Sequence, residues 1–249
     1  MRMTRVYSPV ELKIGGTIEL DNHLKQHLIT VLKLKPNDFF IVFNGRGGEY
    51  QAKLKDATKK TAIAEIIDYQ DVDRESPLFT RLFLSLSKGD RMDYAIQKSV
   101  ELGVNEIVPL VTQFCNVKID PQRLQKRRNH WQGVSISATE QSGRTRITEI
   151  KPIQELFKLN LGSITNQGVA FVLHPGKKDI NYAEGLQLLK KCTETSIVIG
   201  PEGGLSEAEL THLQVHGFKP LRLGPRILRT ETAPVAALSI LQLFAGDLP

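Results

Sequence analysis

The sequence predicts an α/β protein: a mostly parallel sheet covered by helices, preceded by a small β-rich domain. Three observations carry that expectation. Up to about residue 72, short apolar stretches alternate with Gly, Asn and Asp turns, the pattern of a small barrel. From Leu82 onward, short and continuously apolar runs alternate with amphipathic segments, as expected of strands covered on both faces. Between the two patterns Asp71-Val72-Asp73-Arg74-Glu75-Ser76-Pro77 is polar and strand-breaking, which places the boundary there and gives domains 1–72 and 73–249.

In the first domain Lys13-Ile14-Gly15-Gly16 reads as a turn before a strand at Thr17–Leu20. His23 to Leu32 reads as a short helix with Leu24, His27, Leu28 and Val31 on one face. Phe39–Phe43 is a strong strand, Asn44–Gly48 a hairpin loop, and Glu49–Leu54 and Thr61–Ile67 two further strands. In the second domain Leu82–Leu86, Ile107–Val111, Gly168–His174 and Thr195–Ile199 are strands. Asp90 is placed as the cap of a helix carrying Met92, Ala95, Ile96, Ser99 and Val100 on one side. Arg123–Gln141 and Ala183–Lys191 are helical in pattern. Ser206 and Glu209 form a capping box, and Thr232 is placed as the cap of a closing helix, Pro234–Phe244.

With 249 residues, 41% hydrophobic and 24% charged, the chain can bury a sizeable core. No apolar run approaches the roughly 18 residues of a membrane span. The start, MRMTRVYSPVEL, lacks the apolar core of a signal peptide, so a cytoplasmic location without a membrane partner is expected. Cys115 and Cys192 match no metal spacing and the histidines form no ligand pattern, so no metal site is expected. The net charge is +6, and Lys118–Arg146 alone holds seven basic residues against Asp120 and Glu140. Two readings of that cluster stand side by side: a surface for RNA, and a solvated helix face.

Ligands of parallel sheets bind beyond the carboxyl ends of the strands. Three loops qualify: His174-Pro175-Gly176, Gly200-Pro201-Glu202-Gly203-Gly204, and Gly224 to Arg229. Neither a phosphate-cradling Gly-Lys-Ser/Thr loop nor G-x-G-x-x-G is present. The Gly200 loop therefore reads as a backbone-lined pocket, or as an ordinary strand-to-helix turn.

The run GPEGGLSEAEL, followed by LRLGPRILRTETAPVAAL, resembles the RsmE family of SPOUT-class RNA methyltransferases. So do KGDRMDYAIQKSVELGVNEIVPLVT, ATEQSGR and, in the first domain, HLITVLKLKPND. The resemblance covers nearly the whole chain. It implies a small PUA-like β-barrel domain that binds RNA, followed by a SPOUT-type trefoil-knotted α/β domain. It also implies S-adenosylmethionine as cofactor, N3 of a uridine in 16S ribosomal RNA of the small subunit as target, and a homodimer. The cofactor would be held by Leu173 and His174, by Gly200, Pro201, Gly203 and Gly204, and by Leu221, Leu223, Gly224, Ile227 and Leu228. Two alternatives remain: a non-catalytic ribosome-assembly factor of the same fold, and an enzyme acting on another RNA such as tRNA.

N3 of uridine is an imide N–H and must lose its proton to act as a nucleophile. Arg229 is the candidate to stabilise the resulting anion, with Arg226 doing the same or clamping a phosphate. Glu202 is the candidate proton acceptor and Glu231 the runner-up; bonding loop amides is the competing role for both. The expected phosphate contacts are Arg5, Lys33 and Arg46 in the first domain and Arg123, Lys126, Arg127, Arg128 and Arg144 in the second. Val235, Leu238, Leu241, Leu243 and Phe244 on the closing helix are placed near a dimer interface, or in the core.

Overall fold

The computed structural model describes residues 3–58, 61–115, 121–174 and 182–248. Two compact units divide the chain, Met1–Glu75 with Thr139–Ile147, and Ser76–Ala138 with Thr148–Pro249. A single boundary near residue 72 does not anticipate the return of Thr139–Ile147 to the first unit.

The first unit is a five-stranded sheet in the order β1 (Arg5–Tyr7), β3 (Phe39–Phe43), β4 (Glu49–Ala57), β5 (Ala62–Gln70), β2 (Thr17–Glu19). β1 pairs parallel to β3 and the other pairs are antiparallel. Alternation turns Phe40, Val42, Ala52, Leu54, Ala64 and Ile66 inward, and Val6 and Ile18 of the two outermost strands join the same core. Leu24 and Leu28 close it from α1 (Asn22–Lys25) and the π-helical turn Gln26–Val31 that continues it. Asp21 caps α1 by accepting from Leu24 N at 2.8 Å. The expected apolar face ends early, because Val31 is 62% exposed. A π turn spaces like-facing residues more widely than an α turn, so Val31 rotates off the face that Leu28 occupies.

A buried ion network ties Thr139–Ile147 into this unit. Arg5 donates to Glu49 Oε2 through Nε at 3.1 Å and Nη2 at 2.9 Å, and to the backbone carbonyls of Thr139, Glu140 and Arg144. Arg144 pairs with Glu75, whose other oxygen accepts from the Thr145 and Arg146 amides. Arg74 joins Glu49 Oε2 at 3.3 Å and the Gly143 carbonyl at 2.8 Å. Burial pushes the Glu140 carboxyl above the usual carboxylate range, although the Tyr7 amide donates to it.

The second unit is a parallel sheet ordered β12 (Lys219–Leu221), β10 (Val169–Leu173), β11 (Glu194–Ile199), β6 (Phe79–Ser85), β7 (Glu106–Val111), β8 (Glu149–Ile150), with β9 (Gln154–Glu155) also on β7. Each central strand feeds both faces. Leu82, Leu84, Ile197, Ile199 and Phe171 enter one core, and Phe83, Val198, Ala170 and Val172 the other. The first face is covered by α2 (Asp90–Glu101), the long α3 (Pro121–Ser142), α5 (Tyr182–Leu189) and α7 (Thr232–Ala245). The second is covered by α4 (Leu161–Thr165) and α6 (Glu207–Val215). Leu238 and Leu241 of α7 are fully buried within this unit, so of the residues placed near an interface only Leu243 is largely exposed.

Two helix starts differ from expectation. Asp90 is already helical, following Gly89 at φ 59°, and no side chain caps α2. α7 starts at Thr232 with Glu231 in the cap position, and Arg229 O accepts from both Thr232 N and Ala233 N at 2.9 Å. A backbone carbonyl thus satisfies the first two amides of the helix. The capping box of α6 is formed as expected: Glu209 N donates to Ser206 Oγ at 3.3 Å and Ser206 N to Glu209 Oε2 at 2.8 Å. Ser206→Ala should lower the unfolding free energy by about 1 kcal/mol. Urea denaturation with an unchanged slope checks this; an unaltered midpoint would contradict it.

Candidate active site

β12, β10 and β11 lie side by side and run parallel, so the loops leaving their carboxyl ends meet at one edge of the sheet. They enclose a cavity of about 590 Å³, within the usual range for small-ligand pockets. Leu173 and His174 line it from the end of β10. Gly200, Pro201, Glu202, Gly203 and Gly204 line it from the loop after β11, and Leu223, Gly224, Arg226, Ile227, Leu228 and Arg229 from the loop after β12.

Leu221 is the exception among the expected cofactor residues. Its side chain is 1% exposed in the sheet core, and its carbonyl accepts from His174 N at 3.1 Å. It holds the loops together without facing the cavity. The strand ends at Leu221 and the cavity wall begins two residues later.

Glycine is required in the Gly200 loop for two separate reasons. A Cβ on Gly203 would sit 2.9 Å from Phe114 Cβ, and Gly204 adopts φ +75°. Phe114, 43% exposed in the loop after β7, is thereby packed against the cavity loop.

Arg91, Ile199, Leu205, Thr230 and Ala233 also line the cavity, and none was singled out from the sequence. The signal for Arg91 is topological. β6 pairs with β11, so the start of α2, which follows β6, lies beside the loop that follows β11. There Arg91 Nη1 donates to Glu202 Oε1 at 3.0 Å. Glu202, first candidate for proton acceptor, is therefore held by a guanidinium. Glu231, the runner-up, also lines the cavity. Arg226 and Arg229 are exposed, and among the described residues neither has an ion-pair partner. Apolar walls from Leu173, Ile199, Leu205, Leu223 and Leu228 with cations at the rim suit a flat, partly apolar ligand next to an anionic one.

The expected phosphate contacts separate into two groups. Lys33, Arg46, Arg123 and Lys126 are exposed and Arg127 is half-buried. Arg128 donates to Ile150 O at 2.7 Å and lies 3.9 Å from Glu149. Arg5 and Arg144 are corrected: they are 8% and 4% exposed and committed to Glu49 and Glu75. A guanidinium buried in such pairs has no donor left for phosphate at the surface. Lys118, Pro175 and Gly176 lie outside the described residues. Among the described residues no helix is long and apolar enough to cross a membrane, and no cluster of three or more His, Cys, Asp or Glu is arranged to hold a metal ion.

The geometry agrees with what known proteins show. Residues 74–242 match the RNA methyltransferase domain and residues 20–67 the RNA methyltransferase PUA domain. The ribosomal RNA small subunit methyltransferase E of Buchnera aphidicola (from Schizaphis graminum) is 34% identical over 99% of this chain and 98% of its own length. That of Bacillus subtilis is 30% identical over 95% of each. The Neisseria gonorrhoeae ribosomal RNA small subunit methyltransferase E, solved bound to S-adenosyl methionine, superimposes with a TM-score of 0.86 at 37% identity over 100% of both chains. A Legionella pneumophila methyltransferase in complex with SAM gives 0.90 at 37% identity, again over 100% of both. Fold, cavity and full-length similarity together place the chain in the family of the ribosomal RNA small subunit methyltransferases E.

Proposed function

We propose that this protein methylates N3 of a uridine in the 16S ribosomal RNA of the small subunit, using S-adenosylmethionine bound in the cavity at the ends of β10, β11 and β12. The observation that carries this reading is the convergence of three strand-end loops on one cavity whose rim holds Arg226 and Arg229 without ion-pair partners among the described residues. The residues present fit the cofactor. Apolar walls suit an adenine, and the Gly200–Gly204 loop, where a Cβ on Gly203 would meet Phe114, offers backbone hydrogen bonds at close approach. Bound there, the cofactor supplies a methyl group activated on a cationic sulfur.

The chain's own residues supply position and charge. Leu173 and Leu223–Leu228 orient the donor, and Arg229 faces the uracil carbonyls, where its guanidinium stabilises the N3 anion. Arg226, exposed on the same loop, holds the neighbouring phosphate. The target base leaves its stack to reach this site. Lys33 and Arg46 in the first unit and Arg123, Lys126 and Arg127 in the second add affinity through phosphates. A cytoplasmic location belongs to the same proposal, because that is where such a substrate is found.

A trefoil knot belongs to the same reading. It is supported by β12 lying at the edge of the sheet while α7 packs against α2 and α5. A homodimer through the exposed Leu243 side of α7 completes it, and a monomer mass by light scattering at working concentration would remove that part.

The test is to incubate the protein with labelled cofactor and small subunits from a strain lacking it, and to map the label. Methylation at a single uridine N3 is expected. Label on transfer RNA alone, or no label with intact cofactor binding, would overturn the assignment. RNA affinity should fall steeply between low and moderate salt, because phosphate contacts release counterions.

A further inference from the structure

Two buried side-chain polar atoms among the described residues have no hydrogen-bond partner, Ser99 Oγ and Glu231 Oε2. A lone hydroxyl is tolerated inside a helix; an unpaired carboxylate oxygen removed from water is expensive and asks for a purpose. Glu231 sits at the cap position of α7, where a capping side-chain oxygen would accept from the second or third helical amide. Here it makes no capping bond: Ala233 N, the second helical amide, donates to Arg229 O at 2.9 Å, and the third position, Pro234, has no N–H. The backbone thus releases the side chain from helix capping, and Glu231 lines the cavity with Arg229, two residues before it. Glu202 differs in just this respect, its carboxylate being engaged by Arg91 at 3.0 Å.

We propose that Glu231 is the catalytic base, its carboxylate taking the N3 proton of the target uridine. The inference rests on the function proposed above. The N3–H bond breaks with its electron pair left on nitrogen, the proton passes to the carboxylate, and Arg229 faces the charge spread over the uracil carbonyls. N3 then forms its bond to the methyl carbon as that carbon leaves sulfur, the sulfonium becoming a neutral thioether. The carboxylic acid afterwards returns its proton to solvent. The other titratable or charged groups facing the cavity are Arg91 from α2, His174 after β10, Glu202 after β11, and Arg226 and Arg229 on the loop that leads to Glu231. Three of these five are permanent cations, and one of the three, Arg91, is already paired with Glu202.

The experiment uses the full chain, small subunits lacking the modification, and three proteins: wild type, Glu231→Gln and Glu231→Asp. Single-turnover rates are measured from pH 6 to about 9.5, spanning the pH range in which a lost general base is exposed. S-adenosylmethionine affinity is measured separately by calorimetry. Glu231→Gln should lose roughly 10²- to 10⁴-fold in rate at neutral pH. That rate should climb with pH as solvent hydroxide replaces the base, while cofactor affinity stays within about threefold of wild type, well under the tenfold that 1.4 kcal/mol would bring. Glu231→Asp keeps a carboxylate and should recover part of the rate.

An unchanged rate in Glu231→Gln overturns the proposal. So does a loss of cofactor affinity that matches the loss of rate, which would make Glu231 a cofactor ligand. Loss of the wild-type melting transition in both variants would make it a structural group and overturns it equally. If wild type binds no cofactor, or methylates no uridine, the proposed function itself fails, and that outcome is visible before any variant is compared.

Discussion

Arg229→Ala should lower the single-turnover rate by roughly 10²- to 10³-fold, the size of effect seen when one donor to a developing anion is removed. Cofactor affinity should change little, because the guanidinium is assigned to the uracil rather than to the donor. The substitution is clean in one respect: the Arg229 group that caps α7 is its backbone carbonyl, which alanine retains. Arg229→Lys should recover only part of the loss, since an ammonium keeps the charge but not the planar fork. Arg226→Ala should act mainly on the Michaelis constant. Turnover by Arg229→Ala equal to wild type in labelled-cofactor assays would remove that arginine from the reaction.

Arg5→Met should destabilise the first unit by about 3–5 kcal/mol, the usual result of leaving a buried charge without its partner. Methionine keeps much of the volume but none of the donors. Glu49 would retain only Arg74, at 3.3 Å, and the carbonyls of Thr139, Glu140 and Arg144 would lose a common donor. Two opposed expectations make this informative. If Arg5 were a surface phosphate contact, the variant would weaken RNA binding and leave unfolding unchanged. The buried network predicts the reverse order: a lower urea midpoint first, with any RNA defect following from it. Chemical denaturation followed by salt-dependent RNA binding separates the two. A midpoint within error of wild type would show that the network contributes nothing to stability.

Much of the cavity was legible because it depends on local chemistry. The Gly200 loop follows a strand of continuous apolar residues and precedes a capping box, and all three features are written within about four residues of one another, inside the range of local helix-start signals. Gly204 has a positive φ, and Gly203 leaves no room for a side chain beside Phe114. Leu221 still belongs to its strand and points into the sheet core, and the cavity wall begins only at Leu223, after the chain has left the strand. The expected face of the first helix failed at Val31 because a π turn changes the period on which the reading rested.

The charged residues tell a different story. Arg5, Arg144, Lys33 and Arg46 are all basic side chains, and nothing within a few residues separates the buried pair from the exposed pair. Arg5 meets Glu49 across the β1–β3–β4 path and meets Thr139–Arg144 through a return of the chain more than a hundred residues later. The Arg91–Glu202 pair likewise exists because β6 and β11 are neighbours.

By itself, then, the sequence determined the layered α/β unit, the β-rich unit before it and the loops that form the cavity. Periodicity, glycine and capping act over one or two turns of chain and need no distant partner. Only the tertiary structure decided which cations are free to meet an anion, which carboxylate is occupied by Arg91, and which, at Glu231, is buried without a donor among the described residues. Burial and pairing are properties of segments brought together from far apart, and their energies are set by that meeting rather than by residue type.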